Sequence, residues 1–171
     1  MSVLFVLRDY GLSLRERHTF GAQLATLAAR TEQGFGVADR ADLARAFGCV
    51  AFHLPGTGLT ARDARGYLGP TVFLSRGSHD PEDELEPELD AALLSPIFEA
   101  RKGRPALGIA GLSRAMRPAG TTPARYALGG IEAQQASACL AAGAAGVAVI
   151  GAALAADPEP LLRALGILRA G

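Results

Sequence analysis

Short apolar runs alternate along the chain with Ala/Leu-rich stretches whose apolar positions recur at helical spacing. Val3-Leu-Phe-Val-Leu7 predicts a strand. Ser13, with Glu16 three positions on, predicts a capping box that opens a helix. Leu14, Phe20, Leu24 and Leu27 carry that helix to about Ala29. A second strand over Phe35–Val37 leads to a short helix from Asp39 to Phe47, and a third over Val50–His53 ends at Pro55-Gly-Thr-Gly58. Thr60 and Asp63 cap the next helix. A fourth strand over Thr71–Leu74 runs into Ser75-Arg-Gly-Ser-His-Asp80, where Asp80 as N-cap and Pro81 at the first helical position predict another helix. A fifth strand, Ala91–Leu94, is followed by a long loop to a helix over Gly108–Met116. The sixth, Ala124–Leu128, meets Gly129-Gly130 and a helix from Glu132 to Ala142 that Gly143 stops. The seventh, Val147–Ile150, precedes a helix from Asp157-Pro158 to about Leu168.

Seven alternations of strand and helix, with no hairpin signal such as Asn-Gly, imply parallel strands joined by right-handed crossovers: an α/β fold. Periodicity leaves a barrel and an open doubly wound sheet both standing. The absence of a GxGxxG after the first strand counts against a dinucleotide fold. At 171 residues the chain is expected to form one domain over 1–171, short of the ~250 residues typical of a complete (β/α)8 barrel.

Charge and composition narrow the partners. Seventeen basic residues balance seventeen acidic ones without a basic cluster, which offers nothing for nucleic acid to grip. No apolar run approaches the ~18 residues that cross a bilayer, so no membrane partner is expected. Cys49 and Cys139 sit in apolar segments without CxxC spacing and read as buried thiols of a cytoplasmic protein. Lys102 is the single lysine.

In parallel α/β proteins ligands bind at the carboxyl ends of strands. The polar residues there are Arg8 and Asp9; Asp39; His53 with Gly56–Gly58; Ser75, Arg76, Ser78 and His79; Ser95, Glu99, Arg101 and Lys102; then Gly129-Gly130 and Gly151. Gly129, Gly130, Ile150 and Gly151 follow the last two strands, where barrel enzymes commonly bind phosphate on backbone N–H groups. Tight strand-to-helix turns would use the same glycines. His53 reads as a packed strand-end residue and His18 as an uninvolved helix residue, while Asp83, Glu84, Glu86 and Glu88 read as a solvated acidic helix face.

Tyr126-Ala-Leu-Gly-Gly-Ile131, with the run from Cys139 to Ile150, resembles the thiamine phosphate synthase/TenI superfamily. Asp39-Arg-Ala-Asp-Leu-Ala44, Phe52-His-Leu54, Ser78-His79 and Ser95-Pro-Ile-Phe98 followed by Lys102 fall in that family's order. The resemblance implies a TIM-type (β/α) barrel and a phosphorylated thiazole as small-molecule partner. One branch joins a pyrimidine pyrophosphate to thiazole phosphate using Mg²⁺; the TenI branch tautomerises a thiazole phosphate carboxylate.

Departures from the pattern point to the TenI branch. The synthase Asn-Asp pair reads Ala38-Asp39, a second Asp position is Gly58, and an Arg-x-Lys is Arg8-Asp9-Tyr10. The expected enzyme is therefore a thiazole tautomerase. His79 is its acid/base catalyst, since an imidazole both accepts and returns a proton near neutrality. Arg8, Asp39, Ser75 and Lys102 contact substrate, Gly129, Gly130, Ile150 and Gly151 hold phosphate, and no metal or cofactor is needed. The alternatives are the synthase, with Mg²⁺ at Asp39, and a non-catalytic barrel that binds a phosphorylated metabolite. Arg8 follows the strand that matches the family's second, so seven βα units stand where a barrel has eight. The first strand is then expected to pair with one neighbour only, or a homo-oligomeric partner, a dimer mate, to cover it.

Overall fold

A computed structural model describes residues 3–8, 11–118 and 120–167. The chain divides into two compact units, residues 2–76 with 86–90, and residues 77–85 with 91–171.

The first unit contains β1 (Leu4–Leu7), α1 (Leu14–Arg30), β2 (Gly34–Ala38), α2 (Ala41–Ala46), β3 (Ala51–His53), α3 (Ala61–Leu68) and the start of β4 (Phe73–Ser78). Sequence neighbours pair in parallel, with Leu7 opposite Val37, Ala38 opposite His53, and His53 opposite Ser75. The crossover helices follow the sequence signals. Ser13 and Glu16 cap each other's backbone at the start of α1, and the Thr60 hydroxyl accepts from the Asp63 N–H at the start of α3. Phe35, Val37, Phe52 and Leu74 from the strands and Leu54 just after β3 pack with Ala28, Leu43, Ala61 and Ala64 from the helices.

The face of α1 differs from the expected stripe. Gly21 and Ala28 are its buried positions, whereas Leu14, Phe20 and Leu27 are exposed. A side chain at 21 would collide with the Phe47 ring, 2.5 Å from where its Cβ would stand. Glycine therefore sets how closely α1 can pack. Among the described residues β1 pairs with β2 alone, as expected, and Leu4, Phe5 and Val6 are exposed along it.

The second unit contains β5 (Ala91–Leu94), α4 (Gly108–Ala115), β6 (Ala124–Leu128), α5 (Ala133–Ala141), β7 (Gly146–Ala148) and α6 (Glu159–Ala164). β5, β6 and β7 again pair in parallel in chain order, over a core of Leu94, Ile97, Leu112, Ala127, Cys139 and Leu161. This succession of parallel strands and helices is that of a TIM-type fold. Cys49 and Cys139 are buried free thiols, and burial pushes both up, Cys49 to about 11. Among the described residues no helix is long and apolar enough to cross a membrane. The last helix is shorter than expected; Leu168, its expected end, lies outside the described residues, as do Asp9 and Tyr10.

Two expectations around β4 are corrected. The strand runs on through Ser78, so Ser75, Arg76 and Ser78 lie within it. The helix expected from Pro81 is absent, and residues 79–90 form no regular element. Pro87 explains this. In a helix its ring would clash with the carbonyl of Asp83, and it has no N–H to give that carbonyl. The Asp80 carboxylate does accept the Glu82 N–H at 2.9 Å, as an N-cap would, but no helix propagates from it.

The acidic residues of this segment are accordingly not a solvated helix face. Glu86 pairs with Arg76 and accepts from the Ala61 N–H at 2.7 Å, and Glu88 pairs with Arg62 at 3.1 Å. Arg65 gathers the segment onto α3 through the carbonyls of Pro70, Val72 and Glu88 and the Asp90 carboxylate. Asp90 in turn accepts the Leu74 N–H at 2.7 Å. Asp90→Ala leaves that N–H and the Arg65 guanidinium short of a partner, and should cost about 2 kcal/mol in urea unfolding. Asp63→Ala, on the exposed side of α3, should cost well under half as much.

Candidate functional site

In the first unit, His53 ends β3 and is 8% exposed. Its Nδ1 lies 3.0 Å from the Ser75 hydroxyl on the paired strand. Burial drives its pKa down to about 4, the positive charges of Arg8 and Arg76 push the same way, and Asp39 opposes them. His53 is thus a neutral, hydrogen-bonded strand-end imidazole at neutral pH, as its sequence context implies. Ser75, expected to touch substrate, is buried and spends its hydroxyl on His53.

Arg8 stands exposed just after β1. Asp39 follows β2 with a left-handed backbone (φ 64°) and donates its N–H to the His53 carbonyl at 3.0 Å. The expected helix start there shifts to Ala41. Arg76 does not face a ligand: it is bound to Glu86 and to the Leu59 carbonyl.

In the second unit, His79 follows β4 directly and is exposed. Its Nδ1 lies 2.8 Å from the Ser95 carbonyl oxygen, with the Ser95 hydroxyl at 3.3 Å. A carbonyl only accepts, so Nδ1 carries the proton and the lone pair of the neutral ring is on Nε2. The Asp83 carboxylate holds the backbone on either side of His79. One oxygen accepts the Ser78 hydroxyl at 2.8 Å, the His79 N–H at 3.0 Å and the Asp80 N–H at 3.2 Å. Burial pushes the Asp83 carboxyl up, but these hydrogen bonds and the charge of Arg125 outweigh it and leave the group below the usual range.

The glycines after β6 are required by the chain itself. Gly129 and Gly130 have φ of 106° and 66°, in the left-handed region. A Cβ on Gly130 would stand 2.7 Å from the Glu99 Cβ and 2.9 Å from the Glu99 nitrogen. The close approach they permit is therefore that of the loop after β5, which bonds back through the Ile97 and Phe98 N–H groups to the carbonyls of Leu128 and Gly129. No side chain caps the start of α5 behind them, so its first N–H groups keep their donors for an anion.

Ile150 and Gly151 are exposed in the turn after β7, and the space a Cβ would fill at Gly151 is open. Lys102 sits exposed at the tip of a two-residue turn with Gly103 (φ 51° and 75°), closed by paired Arg101 and Arg104 backbones.

The structure thus brings Arg8, Asp39, His53 and Ser75 into one electrostatic neighbourhood in the first unit, and His79 with Ser95 in the second. Asp83 and Arg125 were not expected there. The signal for Arg125 was a charged residue in the middle of an apolar strand.

Comparison with known proteins adds the relatives. The family model described as thiamine monophosphate synthase matches residues 2–153. A thiamine-phosphate synthase of Thermus thermophilus is 35% identical over 165 residues, covering 93% of this chain and 79% of that protein. A thiamine-phosphate synthase of Mycobacterium tuberculosis is 34% identical over 139 residues, 78% of this chain and 63% of that protein. Among solved structures, a thiamine phosphate pyrophosphorylase from Pyrococcus furiosus superposes with a TM-score of 0.81 at 22% identity, over 96% of this chain and 83% of that one, a likeness of fold.

Two outcomes follow from this geometry. Gly130→Ala should destabilise the protein by about 2 kcal/mol in denaturant unfolding, from a left-handed backbone and a crowded Cβ. The buried His53 stays neutral to about pH 4, whereas the unfolded chain takes up that proton near 6.5. Its contribution is therefore intact above pH 6.5 and is lost as pH falls towards 4, roughly 3 kcal/mol in all. The gap between the unfolding free energies of wild type and His53→Gln should change by about that amount from pH 7.5 to 4; parallel curves would refute a neutral buried His53.

Proposed function

Because the chain belongs to the thiamine monophosphate synthase family, an enzyme family of thiamine biosynthesis, we propose that it catalyses the synthase reaction on phosphorylated substrates. That reaction forms one C–N bond between a thiazole phosphate and a pyrimidine pyrophosphate and releases pyrophosphate. The observation that carries this reading is the 35% identity to the Thermus thermophilus synthase across 93% of the chain.

The residues support the reading unevenly. Loss of a pyrophosphate leaving group needs positive charge where negative charge develops. Arg8, just after β1 in the first unit, and Lys102, in the loop after β5 of the second, are exposed cations that would each meet an anion within its own unit. The backbone N–H groups after Gly130, and the Ile150-Gly151 turn, would take the thiazole phosphate. Ser75 acts through His53, whose ring its hydroxyl holds at 3.0 Å.

The synthase branch implies Mg²⁺. Among the described residues no three His, Cys, Asp or Glu side chains come together to hold a metal ion. Magnesium, however, is commonly bound by one or two carboxylates together with substrate phosphate oxygens and water. The donor set fits an ion of that kind, with Asp39 as its protein carboxylate, and does not fit a resident metal. Bound there, Mg²⁺ would neutralise charge on the departing pyrophosphate.

A second reading, thiazole tautomerase, is favoured by one specific observation. The Ser95 carbonyl fixes the His79 tautomer, which leaves an exposed Nε2 as acceptor just beyond β4. A base in that form takes a proton from one atom of a thiazole carboxylate and returns it to another, and no leaving group departs. Lys102, exposed in the same unit as His79, would then hold the carboxylate.

Two assays on the full chain separate the readings. The synthase predicts Mg²⁺-dependent formation of thiamine phosphate with equimolar pyrophosphate, abolished without the pyrimidine substrate and reduced about 100-fold or more in Asp39→Ala. The tautomerase predicts Mg²⁺-independent conversion of thiazole phosphate carboxylate, followed by proton NMR, and a fall of about 100-fold or more in His79→Gln. Pyrophosphate release with His79→Gln fully active would dismiss the second reading. Tautomer conversion with no release would dismiss the first.

A further inference from the structure

Two charged residues beside His79 are more deeply engaged than a loop requires. Asp83 gathers three donors on one carboxylate oxygen, two of them the consecutive N–H groups of His79 and Asp80. Arg125, 6% exposed on β6, reaches the same segment from behind. Its Nη2 donates to the Asp83 carbonyl at 3.1 Å, the very carbonyl that Pro87 cannot serve, and its Nη1 lies 3.5 Å from the Ser78 hydroxyl. Its Nε is buried without a partner.

A guanidinium is costly to bury, and an apolar side chain would suit the strand position better. Neither residue contacts a ligand-facing atom; both act on the main chain that carries His79. Ser95, whose carbonyl receives the His79 proton, is tied to the same place through its N–H to the Ser78 carbonyl at 2.9 Å.

We propose that Asp83 and Arg125 are positioning residues, a clamp that fixes the backbone at His79 so that Nδ1–H meets the Ser95 carbonyl and Nε2 stays available as acceptor. Asp83 holds the N–H groups of His79 and Asp80, and Arg125 anchors Asp83 itself through its carbonyl and reaches the Ser78 hydroxyl. Without them the ring would be free to leave Ser95 and to take the Nε2–H tautomer that an unconstrained imidazole prefers. The inference rests on the reading that His79 meets substrate, but its primary test does not use activity.

The chain has three histidines, His18, His53 and His79, so ring nitrogens can be assigned by ¹⁵N-edited imidazole spectra with a His→Gln variant of each. In the neutral-ring form of the wild type, His79 should show a protonated Nδ1 and a bare Nε2. Asp83→Ala and Arg125→Met should move His79 to a mixture dominated by Nε2–H, with the His53 pattern unchanged as the sign that the fold persists. Asp83→Asn, whose amide oxygen still accepts, should retain most of the wild-type signature. If the wild type converts the thiazole phosphate carboxylate, Asp83→Ala should lower kcat of that reaction at least tenfold with KM within about twofold.

Three results would overturn the clamp: a wild-type His79 already in the mixed state, folded variants that keep protonated Nδ1, or turnover lost while the tautomer is unchanged. The wild-type spectrum decides the matter even if the variants do not fold. Wild-type protein inactive in both assays but with the expected spectra would sink the functional reading and leave the clamp standing.

Discussion

The end of β4 depends on a single carboxylate. Elsewhere in the chain a strand hands over to a helix, and the first free N–H groups are met by a Ser or Thr cap or left at an open turn. After Ser78 there is no helix to receive them, since Pro87 breaks the one that Asp80-Pro81 would begin. Asp83 takes the orphaned donors instead, and arginines take the carbonyls: Arg125 at Asp83 and Arg65 at Glu88. A backbone without its own ladder is costly to bury unless side chains complete it. The acidic and basic residues of this stretch do that work, which is why so few of them are simply solvated.

The same economy gives the two strand-end histidines opposite characters. His53 is enclosed beside Arg8 and Arg76 and held by a hydroxyl, so it stays uncharged and shapes the floor of its own unit. His79 is open to solvent, with one ring nitrogen committed to a carbonyl. Identical side chains become a fixture and a reagent through burial and partner alone. Neither difference lies in the imidazole. It lies in what the following residues do with their hydrogen bonds.

Most of the fold was legible because it rests on period and caps. Ser13-Glu16 and Thr60-Asp63 announce their helices, and the apolar runs fall on the observed strands to within a few residues. What stayed hidden were competitions that no single segment states. Asp80-Pro81 is a sound helix start, overruled six residues later by Pro87. Leu14, Phe20 and Leu27 mark a helical stripe, yet Gly21 and Ala28 are the positions buried, because small residues admit close packing against Phe47. Ser75 reads as a post-strand ligand only if β4 ends at Leu74, whereas the strand runs on to Ser78. Among the candidate residues, types that advertise chemistry, His79 and the Gly-Gly pair, are readable in the sequence itself. The partners that fix them, Ser95 through its carbonyl and Arg125 through its length, carry no such advertisement.

Lys102 has a practical corollary. Every other basic side chain is a guanidinium, so this exposed turn carries the only ε-amine of the chain. Amine acylation, reductive methylation or a lysine-specific protease would therefore address one side-chain address, at the tip of a Lys-Gly hairpin whose backbone is closed by its own hydrogen bonds. Among side chains, a fluorophore or isotope label placed by amine chemistry would mark the loop after β5 alone, without introducing a cysteine.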